Sequence, residues 1–179
     1  MDWNFGDMLD AVGAALGPDD LALAHGERKI FWPEFTARTN RMARALIAQG
    51  AKAGDKAGFY MRNQPEYMEA MAASFKASLS PVNINYRYLD DELVYIIDNS
   101  DSSVVFFDAE FLAEVERVRL RLPRVVAWVQ IGGDTVAPFA KGYEALATTG
   151  DPSPIAGKRS GDDIFLLYTG GTTGLPKGV

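Results

Sequence analysis

With 179 residues, 47% of them apolar and 23% charged, the chain has the size and composition of one globular domain with a sizeable core. A net charge of −6 argues against a sequence-independent nucleic-acid binder, which needs a basic face, and the lack of cysteine excludes a disulfide framework, a thiolate zinc site and a cysteine nucleophile. The N-terminus, Met1-Asp2-Trp3-Asn4-Phe5-Gly6-Asp7, is no signal peptide and the apolar runs are too short for a transmembrane segment, so a cytoplasmic protein is expected.

The first predicted element is a helix over 4–16, with Phe5, Met8, Leu9 and Val12 on one face and Gly17-Pro18 as its stop. Two short strands, 21–25 and 28–32, flank a Gly26-Glu27 turn as a hairpin. Pro33 suits a first helical turn, and Phe35, Thr39, Met42, Leu46 and Ile47 continue at helical spacing to Gly50. A strand is predicted over 56–60. A helix opened by Asn63 and Pro65 follows, with Met68, Met71, Ala72 and Phe75 on its apolar side. Residues 81–84 read as a strand, and Leu89, Leu93, Ile96 and Ile97 mark a helix. A strand over 103–107, a helix over 111–122 and a strand over 125–131 complete the alternation. Residues 148–161, broken by Gly150, Pro152, Pro154 and Gly157, read as a loop, and 163–168 as a further strand. Strands alternating with helices imply an α/β fold, a mostly parallel sheet layered with helices.

Several groups carry ordinary structural readings. His25, the only histidine, sits by a hairpin turn, and no Gly-x-Ser-x-Gly motif supplies a nucleophile. Asp90, Asp91 and Glu92 favour the amide end of the helix they begin. Arg117, Arg119, Arg121 and Arg124 form a solvated helix end, and Met42, Met68 and Met71 are read as core. Asp162-Asp163 marks a loop-to-strand junction.

The chemistry concentrates in 168–179, Tyr-Thr-Gly-Gly-Thr-Thr-Gly-Leu-Pro-Lys-Gly-Val. Gly170, Gly171 and Gly174 let backbone N–H groups approach an anion closely, and successive N–H groups form a concave anion site. Thr169, Thr172 and Thr173 add hydroxyls, and Lys177 adds a mobile positive charge. Together they fit a polyphosphate. The spacing is not that of the Gly-x4-Gly-Lys-Ser/Thr loop, because Leu175-Pro176 separates Gly174 from Lys177, and threonine at 172 breaks the dinucleotide fingerprint.

Residues 168–179 resemble the signature loop of the adenylate-forming (AMP-binding) superfamily, which includes acyl-CoA synthetases, luciferases and peptide-synthetase adenylation domains. The likeness extends through Phe31-Trp32-Pro33-Glu34-Phe35, the run 38–50, Gly54-Asp55-Lys56, Asn63-Gln64-Pro65-Glu66, Phe75-Lys76-Ala77 and Pro81-Val82-Asn83. Asn85-Tyr86-Arg87-Tyr88, followed by Asp91-Glu92-Leu93, Tyr95 and Asp98, is most similar to acyl-CoA synthetases. Gly170 departs from the serine of many members and resembles fatty-acyl and related lipid-acid ligases.

The resemblance implies that residues 1–179 are the N-terminal portion of the large domain, with its remainder and the small C-terminal domain absent. It implies a fatty-acid–CoA ligase type of reaction: a carboxylate, lipophilic by the Gly170 likeness, attacks ATP to give acyl-adenylate and pyrophosphate, and coenzyme A takes the acyl group. The loop residues Thr169, Gly170, Gly171, Thr172, Thr173, Gly174 and Lys177 would grip the leaving phosphates, with Lys177 neutralising their charge and Thr172 reaching Mg2+. Three alternatives stay open: transfer to a carrier protein, a non-catalytic partner-binding module, and a nucleotide-binding domain of unrelated chemistry.

Overall fold

A computed structural model describes residues 3–157, 159–161, 164–169 and 177–178. Helix α1, Phe5–Ala15, opens with a capping box: the Asn4 carboxamide oxygen accepts from the Asp7 N–H at 2.9 Å, and the Asp7 carboxylate accepts from the Asn4 N–H at 3.1 Å. The hairpin is present as β1, Leu21–His25, antiparallel to β2, Arg28–Phe31. Trp32 belongs to α2, Trp32–Ala48, because Pro33 sets the first helical turn there. Gly50 takes φ +104° just past its end, a conformation that suits glycine. Next come β3, Lys56–Tyr60, α3, Pro65–Lys76, and β4, Ser80–Asn83. Helix α4, Asp90–Asn99, and β5, Ser102–Asp108, follow.

The helix expected over 111–122 is three pieces: 3-10 turns at Ala109–Phe111 and Arg119–Arg121 flank α5, Leu112–Val118. Strand β6 is Ala127–Ile131. Then come β7, Lys141–Gly142, and α6, Tyr143–Thr148, two elements absent from the sequence reading. The last strands are β8, Leu166–Thr169, and β9, Lys177–Gly178.

Among the described residues the main sheet runs β7-β6-β5-β3-β4-β8-β9. All its pairings are parallel except the last, β8 with β9. The chain enters at β3, moves outward to β4, then crosses back past β3 to lay down β5, so the winding reverses between β3 and β5. Alternate residues serve opposite faces. Phe59, Val104, Phe106 and Val129 pack with Met42, Leu46, Ala70 and Ala73 of α2 and α3. Tyr60, Val82, Val105 and Phe107 pack with Leu93, Ile96 and Ile97 of α4 and with Val115 and Val118 of α5. A sheet covered on both faces explains the nearly continuous apolar strands of the sequence. No helix among the described residues is long and apolar enough to cross a membrane.

The reading of Met68 as core is corrected, and the shared apolar face of α1 is seen to point mostly outward. On α1, Phe5 is 51% exposed and Met8 and Val12 are each 40% exposed. The helix docks instead through its small and polar side: an added Cβ on Gly6 would meet the Phe75 carbonyl oxygen at 2.9 Å, and Asn4 Nδ2 donates to that oxygen at 3.0 Å. Leu9 does pack inward, against Ile30, Phe35 and Ala72. Met42 is buried and Met71 packs on the core, but Met68 is 42% exposed, outside the stripe that faces the sheet.

Candidate functional site

Parallel strands bring their carboxyl ends to one edge, and open α/β sheets bind ligands in the crevice beyond that edge. Strand β8 aligns with β4 through Val82↔Leu166 and Asn83↔Leu167. Its remaining residues extend past β4 and pair backward with β9, Tyr168↔Gly178 and Thr169↔Lys177. The two ends of the glycine–threonine segment therefore stand side by side at the carboxyl edge of the sheet. Gly170, Gly171, Thr172, Thr173 and Gly174 lie outside the described residues, as do the side chains of Thr169 and Lys177 and the Asp162-Asp163 junction. The stem of the segment is held by the Tyr168 hydroxyl, which donates to the Asn99 carboxamide oxygen at 2.9 Å. Burial, with Tyr95 and Asp101 nearby, raises the Tyr168 pKa above the ordinary tyrosine value.

Next along that edge is the reversal between β3 and β5. Buried Asp108, at the end of β5, accepts from the Arg62 backbone N–H at 2.7 Å and from the Gln64 carboxamide. Burial pushes its pKa above the usual carboxylate value, against the pull of those donors. The Arg62 guanidinium forks onto Glu110 at 2.6 and 3.1 Å and lies 4.6 Å from the centre of the Tyr86 ring. That fork holds the Glu110 pKa below its ordinary value.

Behind this edge, Arg38 binds both oxygens of buried Glu69 at 2.7 and 3.0 Å and both oxygens of Glu144 at 2.9 and 2.8 Å. The Tyr143 hydroxyl donates to Glu69 at 2.8 Å. Burial opposes the Arg38 charge, but the carboxylates of Glu144 and Glu69 outweigh it and keep the guanidinium above its ordinary pKa. A cavity of about 250 Å³ opens beside this network, lined by His25, Arg28, Gln64, Glu66 and Tyr143 among others. A larger cavity of about 400 Å³ lies near Ala51, Ala53 and Ser78, ahead of β3 and β4, at the opposite edge from the glycine–threonine segment.

Sequence reasoning missed Arg62, Asp108, Arg38 and Glu69, because each is an isolated polar residue that only the topology brings to a partner. The clusters it set aside sit as expected. Asp90 and Asp91 lie in the first turn of α4, paired with Arg117 at 3.0 Å and Arg121 at 2.8 Å. Arg124 pairs with Asp101, and Arg119 lies 4.5 Å from the centre of the Phe139 ring. Among the described residues no group of three or more His, Cys, Asp or Glu could hold a metal ion.

The chain resembles known proteins along nearly its whole length. It is 39% identical over 180 residues to a 3-oxocholest-4-en-26-oate–CoA ligase of Rhodococcus rhodochrous, covering 98% of this chain and 32% of that one. A medium/long-chain-fatty-acid–CoA/3-oxocholest-4-en-26-oate–CoA ligase of Mycobacterium marinum is 38% identical over 184 residues, with 98% and 33% covered. The chain thus spans about a third of the length of the curated relatives it matches. Its fold superposes on a fatty acyl CoA synthetase of Mycobacterium tuberculosis with a TM-score of 0.81 and 27% identity, over 98% of this chain and 34% of that one. An anthranilate CoA ligase solved with anthranoyl-AMP shares the fold at a TM-score of 0.90 and 23% identity, over 99% and 34% of the two chains. The model of the family described as AMP-binding enzyme matches residues 11–179, and with these relatives it shows that the chain belongs to the AMP-binding enzyme family.

Proposed function

We propose that the chain is the N-terminal portion of an ATP-dependent carboxylate–CoA ligase, and that its share of the chemistry is to hold the departing pyrophosphate. The observation that carries this reading is the β8–β9 pairing, which closes the glycine–threonine segment at the carboxyl edge of the sheet. As the acid attacks the α-phosphate, negative charge grows on the β- and γ-phosphates. Donors aimed at that charge stabilise the transition state more than the ground state. In this reading the backbone amides of Gly170, Gly171 and Gly174 and the hydroxyls of Thr169 and Thr173 line the phosphates. Lys177 would neutralise the leaving group, and the Thr172 hydroxyl would be the one to hold a magnesium ion.

The activities of the relatives, ligases of coenzyme A with fatty and steroid acids by name, support coenzyme A as the acceptor and a lipophilic acid as the substrate. The cytoplasm, where ATP and coenzyme A are abundant, is the compartment that suits the reaction. The test is Lys177→Ala in the full-length protein, read by pyrophosphate exchange. Adenylation is expected to slow by about 10²-fold, the scale of one lost transition-state donor. An unchanged rate in a folded variant removes the role given to Lys177.

A further inference from the structure

The segment that leads into β8 is fastened to the helical layer by a buried charge cluster used neither by the glycine–threonine segment nor by the β3–β5 crevice. The Arg159 side chain is only 6% exposed, and its Nη1 lies 2.8 Å from Asp7 Oδ1 and 2.9 Å from Asp10 Oδ2. Its Nε donates to the Lys76 backbone carbonyl at 3.1 Å. Asp10 also faces the buried Lys76 ammonium at 3.0 Å. That ammonium donates to the Asn40 carboxamide oxygen at 2.7 Å, and the Asn40 amide donates to the Pro152 carbonyl at 2.7 Å. One network thus joins α1, α2, α3 and the lead-in segment at Pro152 and Arg159.

Two further observations give the network a purpose. Strand β8 is short, and its alignment with β4 rests on Val82↔Leu166 and Asn83↔Leu167. Leu166 and Tyr168 also pack on the core and Tyr168 bonds Asn99, but the backbone pairing is brief, and a slip of one residue would turn every side chain to the other face. An anchor upstream adds a further constraint on that register. In addition, Asp7 and Asp10 lie ahead of the segment that the family model matches, which begins at residue 11. The face that α1 turns inward is the one that carries these carboxylates, while its apolar residues Phe5, Met8 and Val12 stay exposed.

We propose that Arg159, gripped by Asp7 and Asp10, is a positioning residue that fixes β8 in register on β4 and so sets where the nucleotide loop begins. The nucleotide part of this proposal rests on the function proposed above. Helix α1 then works as a clamp on the loop stem.

The test compares Arg159→Gln, Asp7→Asn/Asp10→Asn and Arg159→Lys in the 179-residue chain. Hydrogen exchange is read at β8, β3 and β5, and ATP binding by calorimetry. In Arg159→Gln the β8 amides are expected to exchange about tenfold faster, on the scale of a lost charged hydrogen bond. The β3 and β5 amides keep their rates, ATP affinity falls by a similar factor, and Arg159→Lys restores part of both. Unchanged β8 exchange overturns the proposal. So does faster exchange of all three strands together, which would make the cluster a general core contact. Should Arg159→Gln fail to fold, Arg159→Lys and Asp7→Asn decide the same comparison with a smaller factor. If β8 responds as expected but the full-length wild-type protein binds no ATP, the clamp stands and the nucleotide reading falls.

Discussion

Asp108 shows how the topology sets the chemistry of a residue that looks unremarkable in the sequence. Its carboxylate caps the crossover between β5 and the turn after β3, satisfied by the Arg62 N–H and the Gln64 amide, yet burial still raises its pKa above 3.8. Between 3.8 and the raised folded value, the native state holds a proton that the unfolded chain has released. The stabilisation is therefore complete below that window and is lost as pH rises through the folded pKa. Asp108→Asn abolishes this titration. In urea denaturation from pH 3.8 upward, the stability of the wild type relative to this variant is expected to fall and then to level off above the folded pKa. A pH-independent difference would show that Asp108 titrates alike in the folded and unfolded chain. The same scale shows what the sequence hid. Asp108 and Gln64, like Arg38 and Glu69, are distant in sequence, so their pairing could be learned only from strand order and helix packing.

At the scale of elements, helical periodicity and turn chemistry were legible and docking direction was not. Pro33, Pro65, Gly50 and the Gly26-Glu27 turn marked element ends close to where they occur. The apolar strands announced a sheet covered on both faces. Helix α6 escaped notice because its six residues are too few to show a period, although Tyr143 and Ala147, with Leu146 beside them, anchor it in the core. Helix α1 was recognised with an apolar face, but not which side would dock. At Gly6 it lies too close to α3 for any side chain, while Leu9 and Phe5 reach Ala72 and Phe75 of α3 beside that contact. A methyl group at Gly6 would sit 2.9 Å from the Phe75 carbonyl oxygen and 3.0 Å from the Lys76 Cα, backbone atoms of α3 that cannot swing aside. Gly6→Ala is accordingly expected to cost about 1–3 kcal/mol, the range for overpacking. Gly17→Ala, whose new methyl would meet only the Asp20 carboxylate at 3.6 Å, serves as the control. It should stay within about 0.5 kcal/mol of wild type. Equal urea midpoints for the two variants would mean that α1 is free to move away from α3.

At the scale of the whole molecule, the proposed function gives the loop and its sheet edge one side of a two-reactant reaction. Displacement at the α-phosphate needs the acid oxygen in line with the departing pyrophosphate, and holding reactants in such geometry is worth about 7–11 kcal/mol of barrier. Along the carboxyl edge, Asp108, Gln64, Arg62 and Glu110 are already bonded to one another. The described residues offer no group of three or more metal-ligating side chains, and the chain spans about a third of the length of its curated relatives. Donors on the departing pyrophosphate speed the displacement only where the acid is also held in line with it, so a chain that does not position the acid leaves the chemical step slow. The 179-residue chain, given ATP, magnesium and a panel of carboxylates, is therefore expected to release pyrophosphate no faster than the uncatalysed background, even where it binds ATP. A coupled pyrophosphate assay decides this, with the full-length protein as the positive control. Sustained turnover by the chain, lost in Lys177→Ala, would mean that this sheet edge assembles both reactants without the rest of the domain.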